Sequence, residues 1–187
     1  MLTVIDESAP EDPTGRVHYV VAAAALIRVD PDEARAAVRS VLNRQRPFHW
    51  VSDRGPTVRA AMIDCVAQVA DRICVAVHYP TEPKGQELAR ERILRTAVLP
   101  AVQSWGTTHI LIESRANQDA QDKRVVRNYR RDHRANFSYD WATKDDPLLW
   151  LADAVAGAVT EQRLRADASY IDALRRTGKL DWLPDLS

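Results

Sequence analysis

LTVIDESAPEDPTGRVHYVVAAAALI, residues 2–27, decides the fold class. Leu2–Asp6 is β-prone and runs into Glu7 and Ser8. The segment Ala9–Gly15 carries the proline and glycine of a turn, and its length suits an antiparallel pair. Val17–Ile27 is a long apolar run without helical polarity, which reads as a central strand. The chain is therefore expected to open on two antiparallel strands.

Further along, strands and helices alternate. Asp30-Pro31 starts a helix, with Asp at the N-cap and Pro at the first helical position, and Pro47 closes it. Phe48–Val51 is short and β-like, and is expected at a sheet edge. A helix from Gly55-Pro56 to about Val69 precedes the buried strand Ile73–Tyr79. Gln86–Trp105 is amphipathic and should kink at Pro100. His109–Glu113, HILIE, is a further core strand, followed by a basic helix over Asp119–Arg134 and a weak extended piece, Phe137–Tyr139. Asp146-Pro147 caps a helix from Leu148 to about Arg165, and a short helix near Ser169–Thr177 stops at Gly178. This order predicts an α/β protein: a mixed sheet of about five strands, the first antiparallel, flanked by helices. Residues 1–165 are expected to form the domain, with 166–187 a helical tail packed on it.

The bulk properties agree with one globular unit. The chain has 187 residues, 45% hydrophobic and 28% charged, enough to bury a core without staples. Its 26 basic and 26 acidic side chains balance, which argues against a protein that coats nucleic acid over its whole surface. Cys65 and Cys74 sit among apolar residues without metal-ligand spacing, as buried thiols of a reducing compartment do. The opening residues lack the charged-then-apolar pattern of a leader, and Tyr19–Ile27 is too short to cross a bilayer. The expected location is the cytoplasm, with no membrane partner.

Three acids occupy otherwise apolar places. Asp6 ends the first strand, Glu113 ends HILIE, and Asp153 interrupts PLLWLADAVAGAV. On that last helix Leu148, Leu151, Val155 and Val159 form the core stripe, while Asp153 shares its face with the small residues Ala156 and Gly157. A mid-helix aspartate has no cap to make, and a buried carboxylate is costly unless paired or bound to a cation. If these acids meet, a divalent metal is one economical compensation, and such an ion can activate water against a phosphodiester. Each acid alone has an ordinary reading as a solvated or turn-capping residue. Glu7 points to the opposite face if the strand persists.

The basic helix is the second feature. Lys123, Arg127, Arg130, Arg131 and Arg134 recur at three- and four-residue steps, with Val125, Val126 and Tyr129 as the anchoring side. Such a stripe can track a phosphate backbone; equally, it can be a solvated face paired with Asp119, Asp122 and Asp132. His49 and His78 stand at strand ends, where a structural role is the commoner one. No GxSxG elbow, Walker loop or GxGxxG fingerprint occurs.

VIDES (Val4–Ser8), the apolar second strand, HILIESR (His109–Arg115) before a basic helix, and DPLLWLADAVAGAV (Asp146–Val159) occur in that order. In this the chain resembles the bacterial domain-of-unknown-function family numbered 3800, whose members look like RNase H-like proteins. The resemblance implies a five-stranded mixed sheet with its first strand central and catalytic acids gathered across it. It carries those acids over to Asp6, Glu113 and Asp153, as ligands for Mg2+ or Mn2+. The family often has Asp where Glu113 stands. A further acid usual in the superfamily has only Asp53 and Asp64 as counterparts between Phe48 and Val69.

Together these readings predict a metal-dependent nuclease or related phosphodiester-processing enzyme. Asp6, Glu113 and Asp153 are its catalytic and metal residues, and Lys123, Arg127, Arg130 and Arg131 contact the nucleic acid. The alternative is a catalytically inactive RNase H-like module that binds nucleic acid or protein. A partner protein or homo-oligomer also has candidate contacts, the aromatics Trp141, Tyr170 and Trp182, which are expected to be exposed.

Overall fold

Backbone pairing joins β1 (Leu2–Ser8) to β2 (Val17–Leu26) in antiparallel register, with Asp6 opposite Ala22. A computed structural model, describing residues 1–42, 46–81, 85–115 and 118–186, extends this pair into a six-stranded mixed sheet. On one side of β1 lie β4 (His109–Glu113) and β5 (Ser138–Ala142), both parallel to it; on the far side of β2 lies β3 (Arg72–Thr81), antiparallel. The sixth strand, β6 (Leu180–Trp182), pairs parallel to β3 and comes from the segment read as a helical tail, just past the helix stop at Gly178. The order is β5-β4-β1-β2-β3-β6, so β1 and β2 are both interior. All of β2 is buried, as a strand covered on both faces must be.

The period of two divides the side chains between two cores. Leu2 and Val4 of β1, Ala22 and Ala24 of β2 and Leu111 of β4 face α1 (Pro31–Leu42), α2 (Pro56–Val69), α6 (Leu149–Arg165) and α7 (Ser169–Arg176). Ile5, Val21, Ala23, Ile110 and Ile112 face α3 (Gln86–Ile93), α4 (Leu99–Ser104) and α5 (Asp119–His133). Small side chains on β2 meet an alanine-rich α6, so that helix sits close to the sheet. It is buried almost all round rather than along one stripe, from Leu149 to Val159.

Two local expectations change. Phe48–Val51 is a turn and not an edge strand: the N–H groups of Ser52 and Asp53 both donate to the His49 carbonyl, and the Asp53 carboxylate accepts from the His49 N–H at 2.9 Å. Phe48 and Trp50 are buried anchors of that turn. In the segment Gln86–Trp105 the irregularity is a π-helical turn, Leu94–Val98, just ahead of Pro100. The widened turn accommodates the ring that a continuous α-helix would meet with a clash and a missing donor.

Candidate active site

The strand ends place the acids. On β1 the residues Leu2, Val4 and Asp6 share one face, and on β4 Leu111 and Glu113 share that same face; it is the face covered by α6. Ile5 pairs in register with Ile112, so Asp6 and Glu113 lie side by side at the carboxyl ends of neighbouring parallel strands. Asp153 descends on them from α6. Asp6 is fully buried and Asp153 is 5% exposed.

A cation sits among the three. Lys144, two residues beyond β5, brings Nζ within 2.6 Å of Asp153 Oδ1, 3.3 Å of Asp6 Oδ2 and 3.5 Å of Glu113 Oε1. Its own carbonyl accepts the Trp150 indole N–H at 2.7 Å. Asp153 Oδ2 accepts the Trp50 backbone N–H at 2.7 Å, so both oxygens of Asp153 are engaged. Asp6 Oδ2 is buried and accepts no N–H or O–H hydrogen bond; it faces the Lys144 ammonium at 3.3 Å, with the Glu113 carboxyl beside it. Burial, together with the Glu113 and Asp153 carboxyls, holds the Asp6 pKa well above its ordinary value, and Lys144 only partly offsets this. Burial alone would lower the Lys144 ammonium's pKa, but Asp6 and Asp153 beside it hold it above the usual lysine range. The site is short of positive charge.

The Trp50 turn is a built wall. Buried Arg59 donates to the Trp50 carbonyl at 2.8 Å, to the Asp53 carbonyl at 3.0 Å and to Glu161 at 2.7 Å, and it lies over the Trp50 ring. Gly157 of α6 is where that ring approaches: any Cβ there would overlap Trp50. The small face beside Asp153 thus admits a tryptophan ring. Between the turn and the strand ends lies a pocket of about 210 Å³, lined by Glu7, Ser8, His49, Trp50, Glu113, Lys144 and Asp153.

Glu7 goes to the other face of β1, into a different cluster. It pairs with Arg90 and Arg115; Arg90 also chelates Asp122, with bonds of 2.9 to 3.0 Å, and Arg115 reaches Glu87 at 3.0 Å. One oxygen of Glu7 still lies within 4.8 Å of ligand atoms on Asp6 and Glu113, because it is close to the strand end.

The remaining sequence candidates are dispersed. Helix α5 packs on the face opposite α6, so the sheet separates the basic stripe from the acids. Lys123, in the early part of α5, lies 5.1 Å from the Trp141 ring, near the strand ends. Arg130 stacks over Phe137 and Tyr139 at the opposite end of β5, Arg131 pairs with Asp132, and Arg127 is exposed between them. Asp122 is a buried partner of Arg90, not a member of a solvated face. Asp53 is used up within the Trp50 turn and Asp64 is exposed on α2, so neither joins the acids. Trp141, Tyr170 and Trp182 are half-buried rather than exposed, the last held between Arg163 and Arg175. Sequence reasoning missed Lys144, Arg59 and Arg90. Only the place of Lys144 just past a strand that ends beside Glu113 marks it out.

The mixed sheet with its antiparallel opening pair and flanking helices is an RNase H-like α/β fold. Solved structures share the fold. A chain of the PCNA:RNase HII complex from Archaeoglobus fulgidus matches with a TM-score of 0.54 at 16% identity, over 96% of this chain and 77% of the other. Ribonuclease H2 from Pyrococcus horikoshii OT3 matches with a TM-score of 0.51 at 15% identity, over 94% and 75%. No protein-family model and no curated protein matches the sequence. Among the described residues no helix is long and apolar enough to cross a membrane.

Proposed function

We propose that this protein is a Mg2+- or Mn2+-dependent nuclease or related phosphodiester-processing enzyme of the domain-of-unknown-function 3800 kind. Asp6, Glu113 and Asp153 form its metal-binding and catalytic centre. The observation that carries the reading is the convergence of three carboxylates from β1, β4 and α6 on one point where Lys144 is the one cation against three acids. The donors are all hard oxygens, and the unbonded Asp6 Oδ2 is the kind of atom a hard divalent cation satisfies. When bound, such an ion supplies Lewis-acid polarisation and water activation at phosphorus.

The chain's own residues then have separate tasks. Asp6 and Glu113 would hold the ion; the Trp50 N–H and Lys144 fix Asp153; the Trp50 turn walls one side of a pocket that can admit a phosphate. Lys123, with Arg127 one turn further along α5, steadies the nucleic-acid backbone where it leaves the strand ends. One observation favours the rival reading, an inactive nucleic-acid- or protein-binding module: a lysine already stands in the acid cluster.

Thermal melts titrated with Mg2+ and Mn2+, paired with cleavage assays on single-stranded, duplex and hybrid substrates, decide between them. The enzyme should gain stability in proportion to metal occupancy and cleave at least one substrate, and Asp6→Asn should lose both. Nucleic-acid binding with neither metal response nor cleavage would establish the inactive module.

A further inference from the structure

Lys144 is constructed into the site from both ends. The Trp150 indole holds its carbonyl at 2.7 Å, and the turn around it is closed by the Asp146 N–H on the Thr143 carbonyl at 3.0 Å. Arg35 pins that turn from α1 through Asp146 at 2.9 Å. The Lys144 side chain is 15% exposed, although a lysine head is strongly hydrated and expensive to desolvate unless well compensated. A surface lysine with an open route to water would not be placed so.

Charge and lone pairs point the same way. Three carboxylates against one ammonium leave two negative charges, which one divalent ion neutralises. A pair of divalent ions beside Lys144 would leave a buried excess of positive charge. Both oxygens of Asp153 are occupied, by Lys144 and by the Trp50 N–H, whereas Asp6 Oδ2 accepts no hydrogen bond and Glu113 lies beside it. Two carboxylates with water are an ordinary site for one Mg2+ or Mn2+. While Lys144 occupies Asp153, no free acid is left for a second ion, since Asp64 of α2 faces solvent.

The geometry points to Lys144 as a built-in cation standing where a second metal ion would otherwise be needed, so that the centre takes one divalent ion, held by Asp6 and Glu113. This inference rests on the metal-site reading above. Thereafter Lys144 and the single ion share the work of neutralising the acids and the phosphate that enters between them.

The test is a Mn2+ titration read by electron paramagnetic resonance, on the full chain and on Lys144→Gln and Lys144→Arg, with circular dichroism as the check on folding. Wild type and Lys144→Arg should bind one Mn2+ per chain, and Lys144→Gln two, with spin coupling between the two ions. Two ions in wild type, or one in Lys144→Gln, would overturn the inference and leave the metal site standing. Binding in Lys144→Gln but not in wild type would also overturn it, because Lys144 would then exclude the metal rather than complement it. No binding in any of the three would remove the metal reading itself. If Lys144→Gln does not fold, wild type and Lys144→Arg decide: one ion in each supports the inference, and two in either sinks it.

Discussion

Asp6 and Glu7 are neighbours in the chain, both are acids, and they lie in opposite worlds. Asp6 faces α6 among two other carboxylates with one shared ammonium and an oxygen that accepts no hydrogen bond. Glu7 faces α3 and α5, where two guanidiniums take both of its oxygens and bind Asp122 and Glu87 as well. Burial pushes both carboxyls up, but Arg90 and Arg115 pull Glu7 back far more directly than Lys144 relieves Asp6. A compensated cluster is structural glue; an undercompensated one is a candidate for a functional role. One step along a strand separates the two, because successive side chains point to opposite faces.

The sharpest way to break this comparison is to neutralise one acid on each side. Asp153→Asn should cost metal-dependent cleavage about 10²–10³-fold or more, with the melting temperature of the metal-free chain held or raised. Full activity in that variant would take Asp153 out of the site. Arg90→Leu should do the reverse: it leaves buried Glu7 and Asp122 to share Arg115 alone and should cost about 3–5 kcal/mol in a denaturant titration. An unchanged midpoint would show that the Glu7 side holds nothing together.

Smaller effects refine the picture. Gly157→Ala forces a methyl into the Trp50 ring and should destabilise by about 1–3 kcal/mol. Its activity should fall further than its stability, since the same turn supplies the N–H that fixes Asp153. In chelator, pH separates the two faces. Because the Asp6 pKa is raised by burial, the stability its protonated form contributes is complete below its unfolded value near 3.8 and is lost as pH rises through the folded one. Asp6→Asn should therefore flatten that part of the stability–pH curve, and an unaltered curve would mean that Asp6 ionises freely. Least of all, Lys123→Ala and Arg127→Ala should each weaken nucleic-acid binding and lower its salt slope by about 1. Equal losses from Arg130→Ala would place the substrate along the whole of α5 rather than at its start.

Much of this could be read without coordinates. The antiparallel opening pair, the helix starts at Pro31 and Pro56, and the strand HILIE come from periodicity and caps, which are local properties. So does the separation of Asp6 from Glu7. The turn at Trp50 was misread because a short apolar run has the same pattern whether it pairs as a strand or anchors a loop, and only Asp53, Arg59 and α6 determine which. The tail's strand was missed because Leu180–Trp182 is too short to carry a period.

The sequence by itself determined which residues lie at strand ends and which faces they share, since backbone geometry turns spacing into direction over a few residues. Tertiary structure alone decided that Lys144 stands between Asp6, Glu113 and Asp153, that Asp122 turns inward to Arg90, and that the sheet divides the basic helix from the acids. Those are meetings between residues remote in the chain. They follow from the order in which strands pair and helices cross the sheet, and no local pattern encodes it.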